Sequence, residues 1–531
     1  MNSLIKHASL VCCCLLATAT ACRGHDHDPA GAAPEQLGKV SFTNSCDNAV
    51  QPEFERGVAL LHSFWWQAGR SAFLKVIEQD PTCVIAMWGI AAINVGNPFA
   101  TGPSPADAQQ AQEAIARGRS IGAKTERERR YIEAIAAYYD LYPARPHVAR
   151  MQALADAFEA LAARYPDDDE AQIFRAIYLV GTQDPTDKTF GRTLQAAGIL
   201  EAQFARHPDH PGVSHYLIHS YDYPPIAEQG LPAARRYAGI APSAPHALHM
   251  PSHIFTRVGA WQDSIAANER SAAVSASENA LDERLHAMDY LVYADLQLAR
   301  DDDARRVVET SALVGMPARA GSFAVTAMPA RYALERGAWR EAAQLPPSES
   351  RTAYVRAMPA FARALGAARS GDAAAAERDV QALGQLVDAL NEAKDRYWAV
   401  EVEVQHLAAA AWTDYSKGNH DNALLAMRRA ADLEDTSEKS AVTPGRLVPA
   451  RELLGDMLLE SGNPADALRE YEASLHRDPL RFRSLFGAGQ AAAQSGNRDK
   501  ARDFYRQLVD MTGPGGTRPE LGTARAYLAG N

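Results

Sequence analysis

Apolar positions recur along this chain at three- and four-residue spacing, the period of a helix buried on one face, in blocks separated by short polar turns. The clearest block runs through Leu454, Gly455, Leu458, Gly462, Ala467, Tyr471 and Pro479. Thirty-four residues on, Gly489, Ala492, Gly496, Ala501 and Tyr505 bring back the same order. Each block reads as two amphipathic helices joined at a glycine turn. Weaker copies are marked by Gly418-Asn419 with Ala423 and Ala430, Gly371-Asp372 with Ala376, Gly337-Ala338-Trp339 with Ala342, and Gly259-Ala260-Trp261. Met250-Pro251 and Met328-Pro329 stand at one fixed distance before a Gly-Ala-Trp. Near the start, Gly57, Phe73, Asp80-Pro81 and Trp88-Gly89 fit the pattern loosely. No alternation of period two is sustained, and no Asn-Gly hairpin joins β-branched runs, so the expected fold class is all-α. Segments 96–107, 181–192 and 433–447, rich in Pro, Gly, Asp or Thr, read as loops.

This order of small residues resembles the tetratricopeptide repeat (TPR), a 34-residue helical hairpin. The resemblance implies an α-solenoid of stacked hairpins in a superhelix, with first helices lining a concave groove for a protein or peptide partner. Phe54-Glu55-Arg56-Gly57, Leu61-His62-Ser63-Phe64, His215-Tyr216-Leu217-Ile218-His219 and Pro251-Ser252-His253-Ile254-Phe255 are similar to segments of a bacterial TPR group mostly of unassigned function. That likeness implies the architecture and brings no reaction with it. The expected organisation is degenerate TPR-like repeats over 46–240, TPR-like repeats over 241–435, two well-matched TPRs over 448–515, and a C-terminal helix or tail over 516–531.

Composition narrows the function classes. At 531 residues the chain exceeds one compact core, which suits an array. A net charge of −11 without a Lys/Arg stripe excludes a nucleic-acid surface. At the N-terminus, Lys6 and His7 precede the apolar stretch from Ser9 to Ala21, too short for a permanent span. Residues 1–21 therefore read as a signal peptide. Ala19-Thr20-Ala21-Cys22 resembles a lipobox, which implies lipidation at Cys22, a flexible tether over 22–45, and an exported periplasmic or outer-membrane lipoprotein that meets the membrane only through this anchor. His25-Asp26-His27-Asp28 belongs to that tether. Once the signal and the lipidated residue are set aside, Cys46 and Cys83 remain. One pair in an exported chain points to a disulfide, worth about 3–4 kcal/mol in the chain-entropy model.

The candidate chemistry is a histidine pattern. His215 and His219 are four apart, as are His249 and His253, and the two pairs are one repeat length from each other. On helices, that places each pair on one face and the pairs side by side on neighbouring first helices. His286, with Asp289 and Tyr290 just after it, and His62 on the first hairpin are expected nearby. Neutral imidazole ligates zinc, copper and iron, so the candidate ligands are His215, His219, His249, His253, His286 and Asp289. The alternative is a set of polar spacers between Ala-rich helices. Pro251 opens a second alternative, in which the helix starts there and His249 sits in the preceding turn. No His-Glu-x-x-His, nucleophile elbow, phosphate loop or dinucleotide fingerprint occurs; any catalysis would be metal-centred. The Arg127–Arg130 run reads as a solvated helix face. Two functions follow: a scaffold that clasps a protein or peptide, or a His-lined metal site in its groove.

Overall fold

The computed structural model describes residues 35–99, 102–314 and 320–530. The expected signal peptide, Cys22 and the His25–Asp28 stretch lie outside them. The described residues from Gln36 onward form one compact unit of successive antiparallel helices, and no strand occurs among them.

The hairpins form where small residues let helices cross and glycines let the chain turn. Gly418, Gly462 and Gly496 have φ of 86°, 74° and 80°, the left-handed conformation that a side chain resists. Just past each, one turn hydrogen bond repeats: Asn419 N–H to Asp414, Asn463 to Leu458, and Asn497 to Ala492, at 3.0, 2.9 and 2.8 Å. A Cβ on Gly455 would stand 2.8 Å from the Tyr471 ring, and one on Gly489 2.6 Å from Tyr505. Glycine at these positions is therefore a packing requirement. Ala423, Ala467 and Ala501 are fully buried at the corresponding crossings.

Two large apolar cores result, one from Leu37 to Phe255 and one from Phe323 to Ala501. Between them the helices from Trp261 to Ser311 pack against the last repeats. The Trp261 indole donates to the Leu480 carbonyl at 2.9 Å, and the Phe482 amide donates to the Gln297 side chain at 2.9 Å. The disulfide Cys46–Cys83 spans 37 residues.

Three expectations need correction. The end of the anticipated tether is ordered, because Leu37 and Phe42 are buried in the first core. Its backbone is also pinned by Lys39 N–H to Asp209 O and Phe42 N–H to the Glu55 carboxylate. Within the supposed solvated run, Arg127 pairs with Asp168 at 2.6 Å over the Phe42 ring, and Glu128 is buried, accepting from Ser45. Only Arg129 and Arg130 fit a solvated face. The first two loops start as expected and end early, at helices beginning with Pro105 and Gly191, while the third is shifted, lying between helices that end at Glu434 and start at Ala450.

A six-histidine cluster as candidate metal centre

Four helices present the histidines. Pro211 opens Pro211–Tyr221 at a position where its missing N–H is no loss, and His215 and His219 follow one turn apart. Pro245–His249 and Pro251–Arg257 are joined by Met250, whose φ of −52° and ψ of −37° are helical. Pro251 removes one donor, yet the amides of Met250 and His253 still bond, to His246 and Met250, at 2.9 and 3.1 Å. His249 and His253 therefore keep their shared face across the proline. Leu281–Gln297 supplies His286.

The rings gather into two trios. In each of the sets His215, His219, His246 and His249, His253, His286, one ligand atom per residue lies within 4.8 Å of the others. The trios adjoin: ring centroids are 5.0 Å apart for His215 and His246, 6.0 Å for His246 and His249, and 5.8 Å for His219 and His253. All six residues are buried. Each trio is built alike, from a four-apart pair plus a third histidine from a later helix.

Hydrogen bonds decide which nitrogen faces inward. His215 Nδ1 contacts the His62 carbonyl at 2.6 Å, His246 Nδ1 the Glu283 carboxylate at 3.0 Å, and His253 Nδ1 the Asp222 carboxylate at 2.9 Å. His249 Nδ1 contacts Asn268 Oδ1 at 2.6 Å, and Asn268 Nδ2 donates to Ser264, which fixes that amide's orientation. All four partners accept only, so all four Nδ1 atoms carry the proton and the Nε2 atoms carry lone pairs. His249 Nε2 then faces His253 Nε2 at 3.0 Å with no proton between them. His215 Nε2 stands 3.1 Å from His219 Nε2. His246 Nε2 and His286 Nδ1 are buried without a hydrogen-bond partner.

A proton is a poor remedy for these facing lone pairs. Burial, followed by the neighbouring imidazoles, pushes His215, His219 and His249 well below the usual imidazole range. Burial likewise takes His286 down to about 3. For His253 burial outweighs the opposing pull of Asp222. A metal ion fits better. Bonds of about 2.0–2.1 Å at tetrahedral or square angles bring two ligand nitrogens to about 2.9–3.4 Å of each other, which is the separation found. The Nδ1 partners stand where outer hydrogen bonds stand in sites in which histidine holds a metal. Asp222 is anchored in turn: burial opposes its ionisation, but Lys439 and Arg257 hold it well below the usual carboxylate range. Arg257 Nε reaches it at 2.8 Å.

Asp289 belongs to neither trio. Its carboxylate pairs with Arg331 at 3.2 Å, both fully buried, and Arg331 also donates to the Arg446 and Gly445 carbonyls. One helical turn separates it from His286 in sequence, but one carboxylate oxygen is held by Arg331, which in turn grips the 443–446 segment, while Oδ2 is left buried without a hydrogen-bond partner. His246 was missed because a single histidine three before His249 has no repeat mate. His62 does lie nearby, through its carbonyl on His215, while its ring belongs to another group. There Glu170 accepts from His62 and His210 at 2.8 and 2.9 Å, and the Tyr216 hydroxyl meets His62 Nδ1 at 2.9 Å. His210 Nδ1 is left buried there without a hydrogen-bond partner, and no sequence spacing announced this group. Glu170 and His210 also line an open cavity of about 900 Å³.

Residues 453–515 match the family described as tetratricopeptide repeat. No curated protein matches the chain. Among solved structures, a tetratricopeptide repeat protein from Parabacteroides merdae ATCC 43184 is 12% identical at a TM-score of 0.30, over 54% of this chain and 97% of that one. The yeast Tom70 is 11% identical at a TM-score of 0.29, over 91% of this chain and 96% of that one. Scores this low add nothing to the architecture seen directly. Residues 453–515 thus match the tetratricopeptide repeat, and the described residues as a whole are all-α, built of successive helical hairpins.

Proposed function

We propose that this TPR scaffold holds two transition-metal ions, one in each histidine trio. The observation that carries the reading is the pair of protonless Nε2 atoms of His249 and His253, 3.0 Å apart, with their Nδ1 protons committed outward. Three nitrogen donors per ion leave a coordination position open, as in sites that bind or transform a ligand. Zinc, copper and iron all suit imidazole. The test is metal analysis of untagged protein after exposure to micromolar zinc, copper or iron and removal of unbound metal. About two ions per chain are expected; none retained would sink the reading and leave the scaffold alone.

We place the protein outside the cytoplasm, held by a lipid on Cys22. The apolar stretch ending at Ala21 and the Cys46–Cys83 pair support this. Cys22→Ser should move the protein from the membrane fraction to the soluble exported fraction. Wild type that is already soluble and carries no acyl chain by mass spectrometry refutes the anchor.

A further inference from the structure

We infer that the two ions are copper and that their ligand is dioxygen; this rests on the six-imidazole reading above. The donor set is the first argument. Each trio offers three neutral nitrogens, while the nearby carboxylates of Asp222, Glu283 and Asp289 are engaged by His253 and Arg257, by His246, and by Arg331. Ions that want oxygen ligands are poorly served, and those that imidazole holds are favoured.

Charge narrows the choice. Six neutral donors offset nothing, so two divalent ions would place four positive charges in a buried site. By count, the nearby carboxylates of Asp222 and Glu283 are already offset by the buried Arg257 and Lys439, the latter 3.6 Å from Asp222, so they leave the ions' charge uncompensated. Uncompensated buried charge is costly, and monovalent ions halve it. Among the ions that imidazole binds well, copper is the one with an accessible monovalent state, and copper(I) is content with three nitrogen ligands.

Access and pairing point to the ligand. Aromatic rings seal the imidazoles: Phe64 lies 4.4 Å from His215, Phe99 4.3 Å from His219, and Tyr290 4.7 Å from His249. None of the six histidines is more than 7% exposed, so whatever meets the ions has only a few atoms. The trios adjoin, so one diatomic molecule can meet both. Each copper(I) gives up one electron, and dioxygen takes both to become peroxide held between two copper(II) ions. No proton and no further reductant enters.

The experiment uses the full-length, untagged, metal-free protein, loaded anaerobically with copper(I) as its acetonitrile complex and then opened to dioxygen. About two coppers per chain are expected, with uptake of one dioxygen per copper pair. A near-ultraviolet absorption should appear and fade on degassing, with little copper(II) paramagnetic signal because the two spins couple. Two bound coppers with no uptake, or oxidation to a full-intensity copper(II) signal, overturns the dioxygen inference and leaves the metal reading intact. Failure to retain copper, zinc or iron brings down the metal reading itself. His286→Gln, with its helical signal checked, should keep about one copper and lose dioxygen uptake; retention of both coppers and of uptake overturns the pairing.

Discussion

At the scale of single residues, burial favours the neutral form of five of the cluster's imidazoles, and this has a consequence for stability. An unfolded histidine takes up a proton as pH falls through about 6.5. In the native metal-free protein His215, His219, His249, His253 and His286 resist it, chiefly through burial, with His286 pushed down to about 3. Below about pH 6.5 the unfolded chain therefore binds more protons, and stability falls with falling pH by about 1.4 kcal/mol per unit for each such ring. It is complete above that pH and drains away towards the native value of His286. Urea titrations of metal-free protein between about pH 7.5 and about pH 5 should show the midpoint dropping by the equivalent of several protons. A midpoint that stays level over this range contradicts neutral burial. Bound metal competes with these protons, so the loaded protein should hold its midpoint to lower pH.

At the scale of elements, the repeat itself builds the centre. A repeat of 34 residues superimposes His215 on His249 and His219 on His253, and this much is written in the spacing. Each four-apart pair then supplies two of a trio's three rings, and a later helix completes it with His246 or His286. Neither completing histidine keeps the 34-residue register, so spacing alone divides the six rings wrongly, into one set of four. Pro251 is the other element-scale lesson. Sequence reasoning leaves open whether it separates His249 from His253, because proline commonly starts or bends a helix. Met250 settles the matter by staying helical on the proline's N-terminal side, which the neighbouring Asn268 and Asp222 contacts reward by holding both rings.

At the scale of the whole molecule, distant repeats are tied by buried charge. Arg481 is fully buried and reaches Glu452 at 3.0 Å, Glu335 at 2.8 Å and the Tyr293 hydroxyl at 2.8 Å. Glu335 has one oxygen already without a partner, so Arg481→Met would strand a buried carboxylate and should cost about 3–5 kcal/mol. Denaturant unfolding measures it. Adding Glu335→Leu to that variant should recover part of the loss, because an apolar pair needs no compensation. A loss under about 1 kcal/mol for Arg481→Met would mean water reaches the site.

What the sequence determined by itself is the local grammar. Helical period, glycine turns and alanine crossings depend on neighbours within one hairpin, so they are legible at Gly462, Ala467 and Gly496 without the fold. The four-apart histidine pairs were legible for the same reason. Only the tertiary structure decided that Asp289 turns to Arg331 and that His246 completes a trio. It alone brings Glu283, Asp222 and the His62 carbonyl, from three different helix ends, to the outward nitrogens. Those choices are made by side chains far apart in the chain competing for the same buried partners, and no periodicity records the outcome of that competition.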